Sequence, residues 1–148
     1  MKKIFLITSF VVSSLALSQS VTNKMKNAFE TDNPVSLIEE IKAQKLNIND
    51  CFELKEKPYS LFAIAIKMDR QKVFSELINQ KADLNQICED KSPLMYAVKY
   101  GKINMVKQLI EAGADINVRN SEGANAFHYA QKYQQKEIEE YLKSKLQK

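Results

Sequence analysis

The chain has 148 residues, 45% hydrophobic and 27% charged, with a formal net charge of +4. This is the composition of a folded single domain, not of a disordered chain. Two cysteines rule out a disulfide-framework miniprotein and one histidine rules out a multi-histidine metal site, which together disfavour most catalytic readings.

Residues 1–18, MKKIFLITSFVVSSLALS, open with Lys2 and Lys3 and continue through a stretch of 14 apolar or hydroxylated residues from Ile4 to Leu17. Ala16 and Ser18 then supply small side chains at the spacing a signal peptidase reads. The pattern predicts a secretory leader cut after Ser18, and so a periplasmic or secreted protein. An uncleaved anchor needs about 20 apolar residues, but Thr22, Asn23, Lys24 and Lys26 follow at once. No membrane span is therefore expected after cleavage. Losing residues 1–18 removes two lysines and no acids, so the charge over residues 19–148 falls to +2. A chain so close to neutral gives little reason to expect nucleic acid as a partner.

From residue 22 onward, apolar residues recur at three- and four-residue steps, which predicts helices. Pro34 suits the first turn of one of them, because its missing N–H has no partner there anyway. Leu46-Asn47-Ile48-Asn49 closes this first segment. In the loop at 51–59, Phe52 and Leu54 alternate with charges; the loop either forms a small two-stranded finger or lays these side chains over the preceding helices. Ser60-Leu61-Phe62-Ala63-Ile64-Ala65-Ile66 then returns 32 residues later as Ser92-Pro93-Leu94-Met95-Tyr96-Ala97-Val98, and 33 residues further on as Asn125-Ala126-Phe127-His128-Tyr129-Ala130-Gln131. Val73, Phe74, Leu77 and Ile78 fall on Met105, Val106, Leu109 and Ile110, and Ala82-Asp83-Leu84-Asn85 falls on Ala114-Asp115-Ile116-Asn117. Two short helices and a polar loop in each period of this length describe a solenoid.

Ser92-Pro93-Leu94-Met95-Tyr96-Ala97 resembles the T-P-L-H-x-A motif of ankyrin repeats, and Gly113-Ala114-Asp115-Ile116-Asn117 resembles their G-A-D-x-N loop. The resemblance covers about residues 22–148 and implies an all-α ankyrin solenoid of four helix-turn-helix units with projecting loops. The units run over about 22–50, 51–87, 88–120 and 121–148, within a domain spanning 19–148. The outer units are degenerate, as caps with a single neighbour should be; Glu139 and Lys143 stand where the preceding unit has Val106 and Ile110. Lys143, Lys145 and Lys148 suit the negative end of a solvated final helix. Gly101 stands at the inter-helix turn, with Asn33 and Asp69 at that position in the earlier units. Gln134 in the last unit departs from this pattern and predicts a looser turn.

For function, the resemblance implies binding without catalysis and without a cofactor. The sequence has no G-x-S-x-G, P-loop, H-E-x-x-H or C-x-x-C motif. His128 falls on the motif histidine, which in the family holds the loop of the adjacent repeat. Asp83, Asn85, Asp115 and Asn117 recur as loop hydrogen-bonders. Ankyrin repeats present their contacts from loop tips and from two positions late in the first helix. Those helix positions hold Lys67 with Met68, Lys99 with Tyr100, and Lys132 with Tyr133. Phe52, Leu54, Glu89 and Lys91 stand at the tips. Such rows suit a protein partner carrying acidic residues beside apolar ones, bound by a monomer. The alternative is that the lysines only solvate the face and the tyrosines pack over the next repeat. Similar small exported bacterial ankyrin proteins suggest toxin immunity or support of an envelope enzyme.

Cys51 and Cys88 fall in adjacent loops on one edge. Equivalent points in neighbouring repeats lie about 10 Å apart, whereas a disulfide needs Cα atoms within about 7 Å. The longer first loop has slack to lean over, so a bond and two separate thiols both stay open. Free thiols would point to a rival function in redox or metal handling, although structural zinc wants four ligands.

Overall fold

The computed structural model describes residues 19–147, so the leader expected over 1–18 lies outside them. Helices α1 (Asn23–Glu30) and α2 (Pro34–Ala43) form the first unit. Helices α3 (Leu61–Lys67) and α4 (Gln71–Asn79) form the second, and α5 (Pro93–Lys99) and α6 (Ile103–Glu111) the third. Helices α7 (Ala126–Lys132) and α8 (Lys136–Leu146) close the stack. The finger forms from strands β2 (Phe52–Leu54) and β3 (Lys57–Tyr59), paired antiparallel. The sequence reading did not include β1 (Gln19–Ser20), which adds parallel to β2 and makes a three-stranded sheet in the order β1-β2-β3.

Local chemistry starts the inner helix of each unit at the same point. Thr22, Ser60, Ser92 and Asn125 each accept the backbone N–H three residues on, at 3.1–3.3 Å. Each such cap stabilises its helix by about 1 kcal/mol. The cap of α4 comes instead from the preceding unit, because the Asp32 carboxylate accepts the N–H groups of Lys72 and Val73 at 3.1 and 3.0 Å.

The inter-helix turns correct two expectations. In the first unit the left-handed residue is Asp32, at φ +48°, while Asn33 is non-helical at φ −105° and caps α2. Gln134 does not loosen its turn. It takes φ +55°, close to Gly101 at +64°, and keeps the same hydrogen bonds, Gln134 N–H to Gln131 and Gln135 N–H to Ala130, at 3.2 and 2.9 Å. A left-handed side-chain residue costs about 1–2 kcal/mol, and two packed helices joined through that turn outweigh it.

Inner helices pack in a row, α3 on α5 and α5 on α7, over buried small residues such as Ala65, Ala97 and Ala130. The outer helices bury Leu37, Phe74 and Val106 at one repeating position. Glu139 takes that position in α8 and pairs with Lys143 at 2.8 Å, so the last unit presents a polar outer face. The loops are joined by a relay of short bonds. Asn49 accepts the Asp83 N–H at 2.7 Å and Asn85 accepts the Asp115 N–H at 2.9 Å. Within each loop, Asp83 and Asp115 accept from Asn85 and Asn117 at 2.8 Å.

Candidate protein-binding surface

The cap positions set the geometry of the exposed rows. Ser60, Ser92 and Asn125 each lie seven residues before Lys67, Lys99 and Lys132, so the three lysines end their helices in register. Met68, Tyr100 and Tyr133 follow as the C-terminal caps. Lys67 Nζ stands 3.9 Å above the Tyr59 ring. Lys99 Nζ lies 5.7 Å from the centre of Tyr100 and 5.9 Å from that of Tyr133. Tyr100 is 39% exposed, yet its ring also stacks 6.4 Å from Tyr96. The tyrosines are therefore braced by their own repeat and keep an open face. Among the described residues, Lys67, Lys99 and Lys132 have no carboxylate within ion-pair distance, while five other lysines do. A cation held over an aromatic ring gains about 0.5–1 kcal/mol at exposed sites, which orders the ammonium without neutralising it.

Other expected contacts move inward. Phe52 is 0% exposed; β2 is the central strand of its sheet and turns this ring into the core, so Phe52 leaves the contact set. Leu54 is half-buried beside it. Glu89 and Lys91 are tied into the fold and are not free tip residues. The Tyr96 hydroxyl donates to Glu89 at 2.6 Å, and Lys57 and Lys91 each reach the same carboxylate at 3.1 Å. No local pattern announced this cluster, because its members come from two units and meet only on stacking. His128 also departs from expectation. It is exposed and closes a box with Asn125 of its own unit, its Nδ1 accepting the Asn125 N–H at 3.3 Å, and it does not reach the neighbouring loop.

The Tyr96 hydrogen bond, with help from Lys91 and Lys57, holds the Glu89 carboxyl down at about 2 against the opposing effect of burial. A depressed acid stabilises the fold above its unfolded value, near 4.5, and loses that contribution as pH falls toward 2. Solvent screening keeps the contribution on the order of 1–2 kcal/mol. Thermal melts at pH 7 and pH 3 check this: Glu89→Gln should lower stability at pH 7 and shrink the drop between the two. An equal drop in both proteins would remove Glu89 from the acid response.

Cys51 and Cys88 are bonded, with Cα atoms 5.8 Å apart across 37 residues. The long first loop closes the inter-repeat gap and pins the finger to the next loop, where Cys88 and Lys91 exchange backbone hydrogen bonds at 3.2 Å. In this form neither cysteine offers a thiolate.

The family model for ankyrin repeats (3 copies) matches residues 27–120 and again 62–148. The chain belongs to the ankyrin repeat family. Neurogenic locus notch homolog protein 1 of Xenopus tropicalis is 38% identical over 68 residues, 45% of this chain and 3% of that protein. An ankyrin repeat protein of Fowlpox virus (strain NVSL) is 35% identical over 74 residues, 48% of this chain and 12% of its own length. An alpha-latroinsectotoxin of Latrodectus tredecimguttatus is 27% identical over 114 residues, 76% of this chain and 8% of the toxin. The chain spans only a small part of each relative, so the likeness reaches the repeats and not the remainder of those proteins. Ankyrin repeats in general are non-enzymatic modules for protein–protein interaction. Among the described residues, no ankyrin helix is long and apolar enough to cross a membrane.

Proposed function

We propose that this ankyrin stack is an exported, monomeric, non-catalytic module that binds a protein through the lysine row and its neighbouring aromatic row. The observation that carries the reading is the set of Lys67, Lys99 and Lys132, in register, beside exposed apolar area and without acidic partners among the described residues. Five lysines elsewhere pair with acids among the described residues while none of this row does, so the row stays open to an acidic partner surface. Rigid stacking orders both rows before docking and reduces the entropy lost on binding. Export is supported by the leader pattern and by a disulfide of the kind that persists in oxidising compartments. Toxin neutralisation and support of an envelope enzyme both suit such a display, and the partner's identity separates them.

Affinity capture tests the reading. The chain is expressed with its own leader and a C-terminal tag, alongside a variant with Lys67, Lys99 and Lys132 all changed to Glu. The parent should begin at Gln19 and retain one abundant protein that the variant loses. Equal retention by both would move the contact off the row, and the absence of any partner would sink the binding role.

A further inference from the structure

Between the finger and the C-terminal ends of α1 and α3 lies a groove of about 720 Å³. It falls within the roughly 300–1,000 Å³ typical of binding pockets. Val21, Phe29, Leu54, Ile64 and Met68 give it apolar walls. Lys26, Lys55 and Lys67 add three cations against one acid, Glu30. None of the three lysines has a carboxylate within ion-pair distance among the described residues.

The finger forms one wall of the groove. Its tip residues Lys55 and Glu56 both take positive φ, +52° and +63°. Each costs about 1–2 kcal/mol in a residue other than glycine. The next tip, Glu89-Asp90, has the same strained pair, at +49° and +59°, but there Tyr96, Lys57 and Ser121 bind the side chains. Among the described residues, the Lys55-Glu56 tip has no such side-chain bond. A two-residue hairpin turn takes positive φ at both residues, and closing β2 on β3 through it places Lys55 at the groove.

We infer that this groove takes a short extended peptide segment of the partner in which an aspartate or glutamate adjoins a leucine or an aromatic residue. The apolar side chain covers the half-buried Leu54 and Met68, and the carboxylate meets the lysines. A purely apolar occupant would desolvate three ammonium groups without pairing them, which is costly. A purely acidic one would leave the apolar walls wet. The inference rests on the protein-binding reading and names the segment recognised at one site of it.

Selection of a random dodecapeptide library on the immobilised protein, followed by fluorescence anisotropy of the enriched peptides, tests it. Acid-plus-apolar motifs should be enriched. Their binding should weaken about tenfold or more with Lys26→Glu and Lys67→Glu combined, and should fall clearly with the neutral pair Lys26→Gln and Lys67→Gln. It should hold with Lys81→Glu and Lys136→Glu combined, a control of equal charge change at exposed positions outside the groove. Three outcomes overturn the site: purely apolar motifs, including any matching residues 4–17; acidic motifs as sensitive to the control as to the groove variant; or no enrichment. Any of them leaves the broader binding role to the capture experiment, whose variant retains Lys26 and Lys55.

Discussion

Replacing Cys51 and Cys88 together by serine should lower the stability of the oxidised chain by about 4 kcal/mol. The bond spans 37 residues, and the chain-entropy argument gives about that value for a loop of this length. For a domain of this size the change corresponds to a fall in Tm of roughly 10–20 °C. The effect falls on the finger as well as on the global fold. Cys51 immediately precedes β2, so the bond holds the strand that carries Phe52 into the core and Leu54 into the groove. Differential scanning fluorimetry with and without reductant checks it. The parent should melt lower when reduced, the double variant should not respond, and thiol titration of the untreated protein should find no free sulfhydryl. Equal melting temperatures for parent and variant under oxidising conditions would show that the loops meet without needing the bond. Two reactive thiols in the exported protein would instead restore the rival redox or metal-handling role for Cys51 and Cys88.

Phe74→Ala should cost about 3–5 kcal/mol, the range for removing a fully buried phenylalanine. Phe74 is 0% exposed and meets Phe62 edge-on, with ring centres 5.5 Å apart. It occupies the outer-helix position held by Leu37, Val106 and Glu139 in the other units, so the most demanding core site belongs to an interior repeat. Repeat stacks are stabilised by nearest-neighbour interfaces, and a cavity there weakens the join between the first unit and the rest. Urea unfolding followed by circular dichroism should show a lower midpoint and a broadened or split transition. A loss below about 1 kcal/mol with an unchanged slope would mean that the surrounding side chains collapse into the space.

Much of the fold was legible because ankyrin stacking repeats a local code. Ser60, Ser92 and Asn125 open the recurring segments whose helices they cap, Pro34 fits a first turn, and Asp83, Asn85, Asp115 and Asn117 mark the loop hydrogen bonds. The position of the lysine and aromatic rows followed from the same spacing. Misplaced details share a cause. Asp32 and Asn33 are adjacent and both suit a left-handed turn, so composition alone could not choose between them. Gln134 adopts the turn because α7 and α8 pack across it, a demand its own side chain does not advertise. Phe52 alternates with charges like an exposed finger residue, and only the addition of β1 makes β2 a central strand. Two residues of strand carry no periodicity, so β1 itself gave no sign.

What the sequence determined by itself was mostly of short range: the repeat length, the start of α2 at Pro34, the polar final face at Glu139 and Lys143, and the register that lines up Lys67, Lys99 and Lys132. What only the tertiary structure decided were the contacts made across units. Cys51 reached Cys88, Glu89 drew in Lys57, Lys91 and Tyr96, and the walls of the groove came together from α1, α3 and the finger. The physical reason is one of distance along the chain. Caps and turns are satisfied within about four residues, whereas these pairings join groups up to 37 residues apart, and the stacking of whole repeats chooses which of them meet.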